Sequence, residues 1–302
     1  MSSVQLNWKA LGIINLTPDS FSDGGESIVA GGLQKKLKNY RSNQVNHFDI
    51  GAESTAPFNG AITSETEWHR INKHFLPFLK EFHSDDVLSF DTYKIDVIKK
   101  ILIKLEKENF NNQVIWNDVS GKFDQDVMDL LCQYPKLHYV YSHNLAPSRA
   151  LCSSHMNYIK EGLTKYDFIS NVRSYFRKVA LVIDDSKIDN LQSRIIFDPC
   201  FGFSKTQMQN YYLIQDMHLL IKDFSEFRWM LGISRKSFLK KMASKNEQLC
   251  TGKDCLEYRE FAHLLILSHW KEEFGCKNCM IRLHDSRLFS ALTECQKMFE
   301  LP

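Results

Sequence analysis

The run Ala10-Leu-Gly-Ile-Ile-Asn-Leu16 is apolar apart from one glycine and one amide near its end. A short apolar run bounded by turn residues is typical of a strand that is buried on both faces. The segment that follows, Thr17-Pro-Asp-Ser-Phe-Ser-Asp-Gly-Gly25, carries two carboxylates, three hydroxyls and two glycines. The chain therefore places a polar loop directly after its first predicted strand.

The same alternation of a short apolar run and a longer segment of helical period continues along the chain. The predicted strands are Ala10–Leu16, His47–Ile50, Val87–Phe90, Val114–Trp116, His138–Tyr141, Arg194–Phe197, Arg228–Ile233 and Met280–Leu283. The predicted helices are Leu33–Arg41, Glu65–Phe82, Lys94–Lys107, Gln125–Tyr134, Asn157–Val182, Gln207–Phe224, Tyr258–Glu273 and Ser286–Phe299. Strands that alternate with helices pair in parallel, because each return crossover needs a helix. Eight such units predict an α/β fold, a (β/α)8 TIM barrel, as a single domain over residues 1–302.

An open, doubly wound sheet is the alternative fold for this pattern. Such sheets, where they bind dinucleotides, carry a Gly-x-Gly-x-x-Gly motif after the first strand, and this chain has none there. We therefore favour the barrel. The stretches with the least pattern, Asn144–Met156 and Lys245–Asp254, are predicted to be long loops or disordered segments.

Composition narrows the classes of function. Among 302 residues, 43% are hydrophobic, and 38 basic residues balance 36 acidic ones to a formal charge of +2. That balance gives no reason to expect nucleic acid or an anionic membrane as a partner. The sequence shows no apolar leader, no run near the roughly 18 apolar residues of a membrane span, and no framework spacing among its eight cysteines. We expect a cytoplasmic protein with reduced thiols, in which Cys276 and Cys279 lead into a strand rather than hold zinc or act as a redox pair.

Every predicted strand delivers polar side chains at its C-terminal end. These are Asn15, Asp49, Asp91, Asn117 with Asp118, His143, Asp198, Ser234 to Ser237, and Arg282 with His284. In a (β/α)8 barrel all eight C-terminal ends surround one mouth, where the active sites of this fold lie. Any single Asp, Asn or Ser could instead cap the helix that follows. Capping alone does not explain why all eight apolar strands end in polar residues. The sequence therefore predicts one functional site at the mouth.

Several motifs at these strand ends resemble, in order, those of the dihydropteroate synthase family. They span Asn15–Gly25, Asp49–Thr55, Phe90–Thr92, Asn117–Asp118, Asp198–Lys205, Gly232–Ser237 and Arg282–Asp285. The resemblance implies a (β/α)8 barrel, usually a homodimer, and a transferase of folate biosynthesis that is the target of sulfonamides. It also implies that 6-hydroxymethyl-7,8-dihydropterin diphosphate condenses with 4-aminobenzoate, releasing diphosphate, with Mg2+ assisting.

The resemblance implies a role for individual residues. Those implied to bind the pterin are Asp91, Asn117, Asp198 and Lys236. Those implied to hold the diphosphate are Asn15, Thr55, Arg282 and His284, with Asn15 also the metal ligand. Those implied to contact 4-aminobenzoate are Phe21, Pro57, Phe203, Ser234 and Ser237. Those implied to act in the chemistry are Asp23, Asp49, Lys236, Arg282 and His284.

These roles suit the chemistry of the side chains. A carboxylate can accept two donors from a pterin edge, and an arginine can hold phosphate oxygens in a bidentate manner. Mg2+ keeps several waters and takes few protein ligands, which suits a single amide oxygen from Asn15. The loops near residues 17–26 and 54–64 are predicted to be lids that exclude water from a reactive pterin cation.

The sequence departs from the family pattern at three positions. Ala56 stands where the family usually has an arginine that helps to hold diphosphate, and Cys200 and Ser204 stand where it usually has glycine. If the loop needs a positive φ at Cys200, backbone strain follows. The main alternative to an active synthase is therefore a non-catalytic homologue that binds pterin. A methyltetrahydrofolate-dependent methyl transferase of the same barrel type is disfavoured, because such enzymes lack the full first-loop and Ser-Arg-Lys-Ser motifs.

Overall fold

A computed structural model describes residues 8–17, 31–54, 60–243, 252–274 and 279–299. Within these ranges, eight parallel strands pair in chain order, and β1 also pairs with β8 to close a barrel. The strands are β1 Lys9–Asn15, β2 His47–Gly51, β3 Leu88–Asp91, β4 Val114–Asp118, β5 Leu137–Ser142, β6 Ile195–Asp198, β7 Arg228–Leu231 and β8 Cys279–Leu283. The predicted (β/α)8 TIM barrel is confirmed.

Helices follow the strands and cover the outside of the barrel. They are α1 Gly32–Ser42, α2 Ser64–His74, α3 Ile95–Lys107, α4 Gln125–Gln133, α5 Lys165–Asp184, α6 Leu191–Arg194, α7 Gln207–Asp223, α8 Phe238–Ala243, α9 Gly252–Phe274 and α10 Arg287–Phe299. Two 3-10 segments span Leu76–Glu81 and Arg149–Tyr158. In the described ranges no helix combines the length and the apolar character that a membrane crossing requires.

Side chains alternate between two layers along each strand. The outward layer, which includes Ile14, Phe48 and Trp116, packs beneath the helices in the larger core. The inward layer forms a second buried cluster of seven apolar side chains: Leu11, Val87, Ile115, Val140, Ile196, Met230 and Met280. Two residues further along three of these strands the inward position is polar, at Asn117, Asp198 and Arg282. The barrel is therefore apolar in its middle and polar at its C-terminal mouth.

The close approach of α1 to β1 requires a glycine. A Cβ atom built on Gly12 would lie 2.8 Å from the ring of Tyr40, which is closer than real Cβ contacts come. The buried Tyr40 hydroxyl donates to the carbonyl oxygen of Ile13 at 2.8 Å, and its oxygen also lies 3.3 Å from that of His284. Gly12 thus lets one tyrosine join the first strand to the segment that follows the last.

The structure corrects three of the predicted helices. The helix predicted over Tyr258–Glu273 begins earlier, at Gly252, so the end of the predicted loop Lys245–Asp254 is helical. The helix predicted over Asn157–Val182 begins only at Lys165, because the Thr164 side chain accepts the Asp167 N–H as an N-cap. The helix predicted over Glu65–Phe82 ends at His74 and continues as the 3-10 segment Leu76–Glu81, which carries a proline in its first turn. The weakly patterned stretch Asn144–Met156 enters the other 3-10 segment, so it is structured rather than disordered.

Parts of the predicted lids and of the predicted thiol pair lie outside the described residues. Residues 18–30 and 55–59 lie outside the described residues, and with them most of the predicted 17–26 loop and the start of the 54–64 loop. Most of Lys245–Asp254 and Cys276 also lie outside. Cys279 is a buried free thiol at the start of β8. This agrees with the prediction that Cys276 and Cys279 lead into a strand.

Candidate active site

An arginine from the last strand lies between two carboxylates from the second and third strands. Arg282 Nη2 is 2.5 Å from Asp49 Oδ2 and 2.6 Å from Asp91 Oδ2, and Arg282 Nε donates to Asp49 Oδ2 at 2.8 Å. The parallel register places Asp91 beside Gly51 on β2 and beside Asn117 on β4. The structure therefore brings residues from β2, β3, β4 and β8 into one group at the mouth.

Asp49 is enclosed by polar partners and is only 1% exposed. Its Oδ1 atom accepts the Ser89 hydroxyl at 2.5 Å and the Asn117 amide at 3.2 Å. Asn117 Oδ1 is buried and has no hydrogen-bond partner among the described residues. Asp49 thus orients both Arg282 and Asn117. Its predicted direct role in stabilising a cation stays a prediction.

The two carboxylates predicted to bind pterin have pKa values shifted upward. Burial raises the pKa of Asp91 to about 7, although Arg282 opposes the shift. Burial also raises the pKa of Asp198, and the Cys200 N–H, Arg282 and Lys236 oppose that shift. The Cys200 N–H donates to Asp198 Oδ1 at 2.6 Å. Asp198 Oδ2 makes no hydrogen bond to the described residues, so one carboxylate oxygen remains for a ligand.

Lys236 reaches this group from the loop after β7. Burial lowers the pKa of its ammonium, while Cys200, Asp198 and Asp91 raise it, so its charge lies close to these carboxylates. Its Nζ atom lies 4.7 Å from the centre of the Phe203 ring. The lysine therefore joins the group of carboxylates to an aromatic side chain of the loop after β6.

His284 and Ser234 form a pair beside Arg282. The Ser234 hydroxyl oxygen accepts the His284 backbone N–H at 3.2 Å and lies 2.9 Å from His284 Nδ1. Burial, with Arg235, Lys36 and Arg282 nearby, holds the pKa of His284 well below its usual range, so the imidazole is neutral at pH 7. The Ser234 hydroxyl can then donate to Nδ1, which leaves an N–H donor at Nε2.

Asn15 lies across Gly51 from Asp91. A Cβ atom built on Gly51 would be 3.9 Å from Asn15 Oδ1 and 3.6 Å from Asp91 Cβ. Ser237 is exposed directly before α8. The His143 ring packs 4.7 Å from the Tyr175 ring, so this strand-end residue belongs to the packing behind the loop.

The loop after β6 contains two side-chain-bearing residues in the left-handed region. Cys200 has φ 54° and Ser204 has φ 49°, which confirms that this loop needs a positive φ where the family usually has glycine. Each such residue costs of order 1–2 kcal/mol. Lys205, 2% exposed, offsets this strain, because its Nζ donates to the carbonyls of His143, Cys200 and Phe203 at 2.9, 3.0 and 2.9 Å. Sequence reasoning missed this role, for which the only signal was a lysine at the end of a strand-end motif.

A second buried network, which the sequence analysis also did not predict, joins the two ends of the loop near residues 54–64. Glu53 Oε1 accepts the Ile62 N–H at 3.0 Å and the Tyr93 hydroxyl at 3.0 Å. Lys94 bonds Glu53 Oε2 and lies 2.6 Å from Glu67 Oε2. Glu53 belongs to the Asp49–Thr55 motif, so its place in that motif was the available signal.

Several predicted site residues lie outside the described residues: Phe21, Asp23, Thr55, Ala56 and Pro57. Among the residues that the structure does describe, one group has metal-ligand spacing, namely His83, Asp85 and Asp86. It precedes β3 and so lies at the opposite end of the barrel from the mouth. Asp86 Oδ2 already accepts Arg41 at 2.7 Å and the His83 N–H at 2.9 Å, so this group does not form part of the candidate site.

Known proteins are similar to this chain in both sequence and fold. A family model described as pterin binding enzyme matches residues 11–284. A dihydropteroate synthase of Clostridium beijerinckii is 30% identical over 232 residues, which cover 76% of this chain and 75% of that protein. This chain belongs to the dihydropteroate synthase family of pterin-binding enzymes. The chain spans only part of two longer relatives. It covers 29% of the folic acid synthesis protein fol1 of Schizosaccharomyces pombe, with 29% identity over 76% of this chain. It covers 42% of the mitochondrial folate synthesis bifunctional protein of Arabidopsis thaliana, with 28% identity over 78% of this chain.

A solved structure extends the likeness to the whole fold. The dihydropteroate synthase from Clostridium difficile, crystallised in the presence of pteroic acid, superposes with a TM-score of 0.73. The alignment covers 99% of each chain at 21% identity. The barrel of this family member is therefore complete from β1 to β8.

Proposed function

We propose that the chain is a dihydropteroate synthase, which condenses 6-hydroxymethyl-7,8-dihydropterin diphosphate with 4-aminobenzoate to give 7,8-dihydropteroate and diphosphate. The observation that carries the proposal is the convergence of Asp91, Asn117, Asp198, Lys236 and Arg282 on one mouth. Family membership and the synthase names of the relatives support the same reaction.

The hydrogen-bonding capacity of the group suits a pterin ring. A pterin edge presents an amino group and a ring N–H beside a carbonyl. Asp198 Oδ2 and the Asp91 carboxylate can accept from the donors, and the Lys236 ammonium can donate to the carbonyl. A charged carboxylate that accepts two donors at once contributes about 1.5–3 kcal/mol of binding free energy.

Cationic and N–H donors stand next to this pterin site, as a diphosphate requires. Arg282 uses Nε and Nη2 on carboxylates and leaves Nη1 without a bond to any described residue. When the Ser234 hydroxyl donates to Nδ1, His284 adds an Nε2–H donor. Both groups are held before the ligand arrives, which lowers the reorganisation needed to stabilise a leaving diphosphate.

The donor set also suits Mg2+ carried by the phosphates. Asn15 offers a neutral amide oxygen beside Asp91, and Mg2+ takes few protein ligands when phosphates supply the others. When bound, Mg2+ would neutralise charge that develops on the leaving diphosphate. Asn15 is therefore the residue that we propose as its protein ligand.

Displacement would proceed by loss of diphosphate before the amine attacks. The C–O bond to diphosphate breaks, the pterin methylene becomes a resonance-stabilised cation, and the amine of 4-aminobenzoate then forms the C–N bond and loses a proton. The buried carboxylates Asp91 and Asp198 bind the ring and stabilise positive charge on it. We propose that Asp23, in the first loop, and Asp49 add to this stabilisation. We also propose that 4-aminobenzoate is held by Phe21, Pro57, Phe203, Ser234 and Ser237.

Ala56 is the feature that favours the second candidate, a non-catalytic or slow pterin-binding homologue. Loss of one charge-assisted bond to diphosphate costs about 1.5–3 kcal/mol, or roughly one to two decades in rate. The retained Arg282, His284 and Asn15 favour turnover, because a protein that binds pterin alone needs no diphosphate site. Purified protein with the pterin diphosphate, 4-aminobenzoate and Mg2+ should release diphosphate and form dihydropteroate. Tight pterin binding without product would establish the second candidate instead.

We further propose that the protein is cytoplasmic and forms a homodimer. The free thiols of the described cysteines support a reducing compartment. On α9, Tyr258, Phe261 and Leu265 are 49%, 61% and 57% exposed and lie at i, i+3 and i+7 on one helix face. Such an apolar stripe on a soluble protein is typical of an interface.

A further inference from the structure

A histidine from the 3-10 segment Arg149–Tyr158 packs against the aromatic side chain proposed to contact 4-aminobenzoate. The rings of His155 and Phe203 are stacked, with centroids 4.2 Å apart and planes 30° apart. His155 is 1% exposed, and Phe203 is 6% exposed. No role follows for His155 from the sequence motifs, since it lies in the stretch least like the family.

Ser204, the residue after Phe203, bonds the histidine to the loop after β6. The Ser204 backbone N–H donates to His155 Nδ1 at 3.2 Å, and the Ser204 hydroxyl donates to the His155 carbonyl at 2.9 Å. Ser204 itself is in the left-handed region, with φ 49°. The side chain that replaces the usual glycine thus binds the segment that supplies the histidine.

The segment and the chain just before it are anchored to the barrel at two other points. Arg149 forms an ion pair with the buried Asp118 at the end of β4 and donates to Ser120 Oγ at 2.6 Å. Asn144 Nδ2 donates to the Val119 carbonyl at 2.7 Å. These bonds hold the segment against the mouth, so the imidazole has a fixed position relative to β4 and β6.

Phe203 therefore has two partners. The imidazole is stacked on the ring with the centroids 4.2 Å apart, and the Lys236 ammonium lies 4.7 Å from the ring centre. If the imidazole were absent, the ring could move into the vacated volume, and its position relative to Lys236 would change.

We infer that His155 is a positioning residue that sets the specificity of the site for the aromatic amine substrate through Phe203. This inference rests on the proposed synthase function. The ligand class is a planar aromatic amine with a para anionic group, which includes 4-aminobenzoate and sulfonamides. The pterin half of the site is built on Asp91, Asn117 and Asp198, and we expect the His155 variants to leave it unaffected.

Two variants separate the ring contact from the hydrogen bond. His155→Asn keeps an acceptor for the Ser204 N–H and removes the ring, whereas His155→Phe keeps a ring and removes the acceptor. We expect His155→Asn to raise the KM for 4-aminobenzoate and the inhibition constant of a sulfonamide by about tenfold, because the aromatic contact is lost. We expect His155→Phe to retain wild-type values to within about threefold, and both variants to keep the wild-type KM for the pterin diphosphate.

The controls make failure of this inference distinguishable from failure of the proposed function. His218→Ala removes a partly exposed histidine on α7 and should change neither KM. Wild-type protein that forms no dihydropteroate would disprove the synthase function itself. An active wild type whose KM for 4-aminobenzoate is the same in His155→Asn, or whose two KM values rise together, would disprove the role of His155. Circular dichroism and thermal unfolding of each variant identify a change that is only structural.

Discussion

Arg282 Nη2 lies 2.6 Å from Asp91 Oδ2, so the cation proposed to hold diphosphate and a carboxylate proposed to bind pterin neutralise each other before substrate arrives. A substrate that carries both groups can replace this ion pair with two new contacts. A pterin without phosphates offers only one, and it must compete with Arg282 for Asp91. The ion pair therefore couples the two proposed halves of the site, and it would give a physical reason for the proposed substrate to carry a diphosphate.

The first prediction concerns pH. Burial raises the pKa of Asp91 to about 7, and the groups that face it are Arg282, Asp49 and Lys236. Only the ionised carboxylate accepts two donors, so pterin affinity should increase as pH rises through about 7 and weaken as pH falls below it. Calorimetry with a pterin ligand at pH 6 and pH 8 should show weaker binding at pH 6, by up to about tenfold. Asp91→Asn should bind weakly at both pH values, and an unchanged pH dependence in this variant would assign the titration to another group.

The second prediction separates positioning by Asp49 from direct catalysis. Asp49→Ala removes the partner that receives Arg282 Nε and Nη2, and it leaves a buried guanidinium with Asp91 alone. Loss of one partner of a buried ion pair should lower the free energy of unfolding by about 3 kcal/mol and raise the KM for pterin diphosphate. Urea unfolding and steady-state kinetics measure both quantities. A variant with normal stability and KM but a reduced kcat would instead support direct action on the cation.

The third prediction concerns the missing arginine of the second loop. Ala56→Arg should restore a charge-assisted bond to diphosphate and raise kcat/KM for the pterin diphosphate by about tenfold or more. The KM for 4-aminobenzoate serves as the internal control, because this substrate carries no phosphate. If Ala56→Arg leaves kcat/KM for the pterin diphosphate unchanged, another residue already supplies the charge.

The sequence was sufficient to predict the barrel and the group at its mouth, because Asn117, Asp198 and Arg282 stand at the C-terminal ends of predicted parallel strands. It was not sufficient for the true start of α5, since the Thr164 cap lies within a run of helical period. The bracing by Lys205 and His155 could not be predicted either. Those contacts include pairs that are 49 and 62 residues apart, and their partners are backbone atoms and a ring face that no residue pattern marks.

The fourth prediction tests the proposed dimer. Phe261→Glu places a charge in the middle of the apolar face of α9 and should convert a dimer into monomers, as measured by light scattering after size exclusion. Ile103→Glu is the matched control, because Ile103 is 45% exposed on α3, a different helix. A wild-type monomer, or a dimer that survives Phe261→Glu, would disprove this interface.

The fifth prediction measures the strain stored at Cys200. Its φ of 54° disfavours any residue with a Cβ atom, but a direct comparison of cysteine with glycine would mix that strain with loss of the buried thiol. Comparing Cys200→Ala with Cys200→Gly removes the thiol from both and leaves the Cβ atom as the main difference. We expect the glycine variant to be more stable than the alanine variant by about 1 kcal/mol in urea unfolding, since only the alanine keeps the left-handed penalty. At a position with ordinary φ the order would be reversed, because glycine costs more chain entropy on folding. An alanine variant that equals or exceeds the glycine variant would therefore show that the bracing by Lys205 does not hold a strained residue in place.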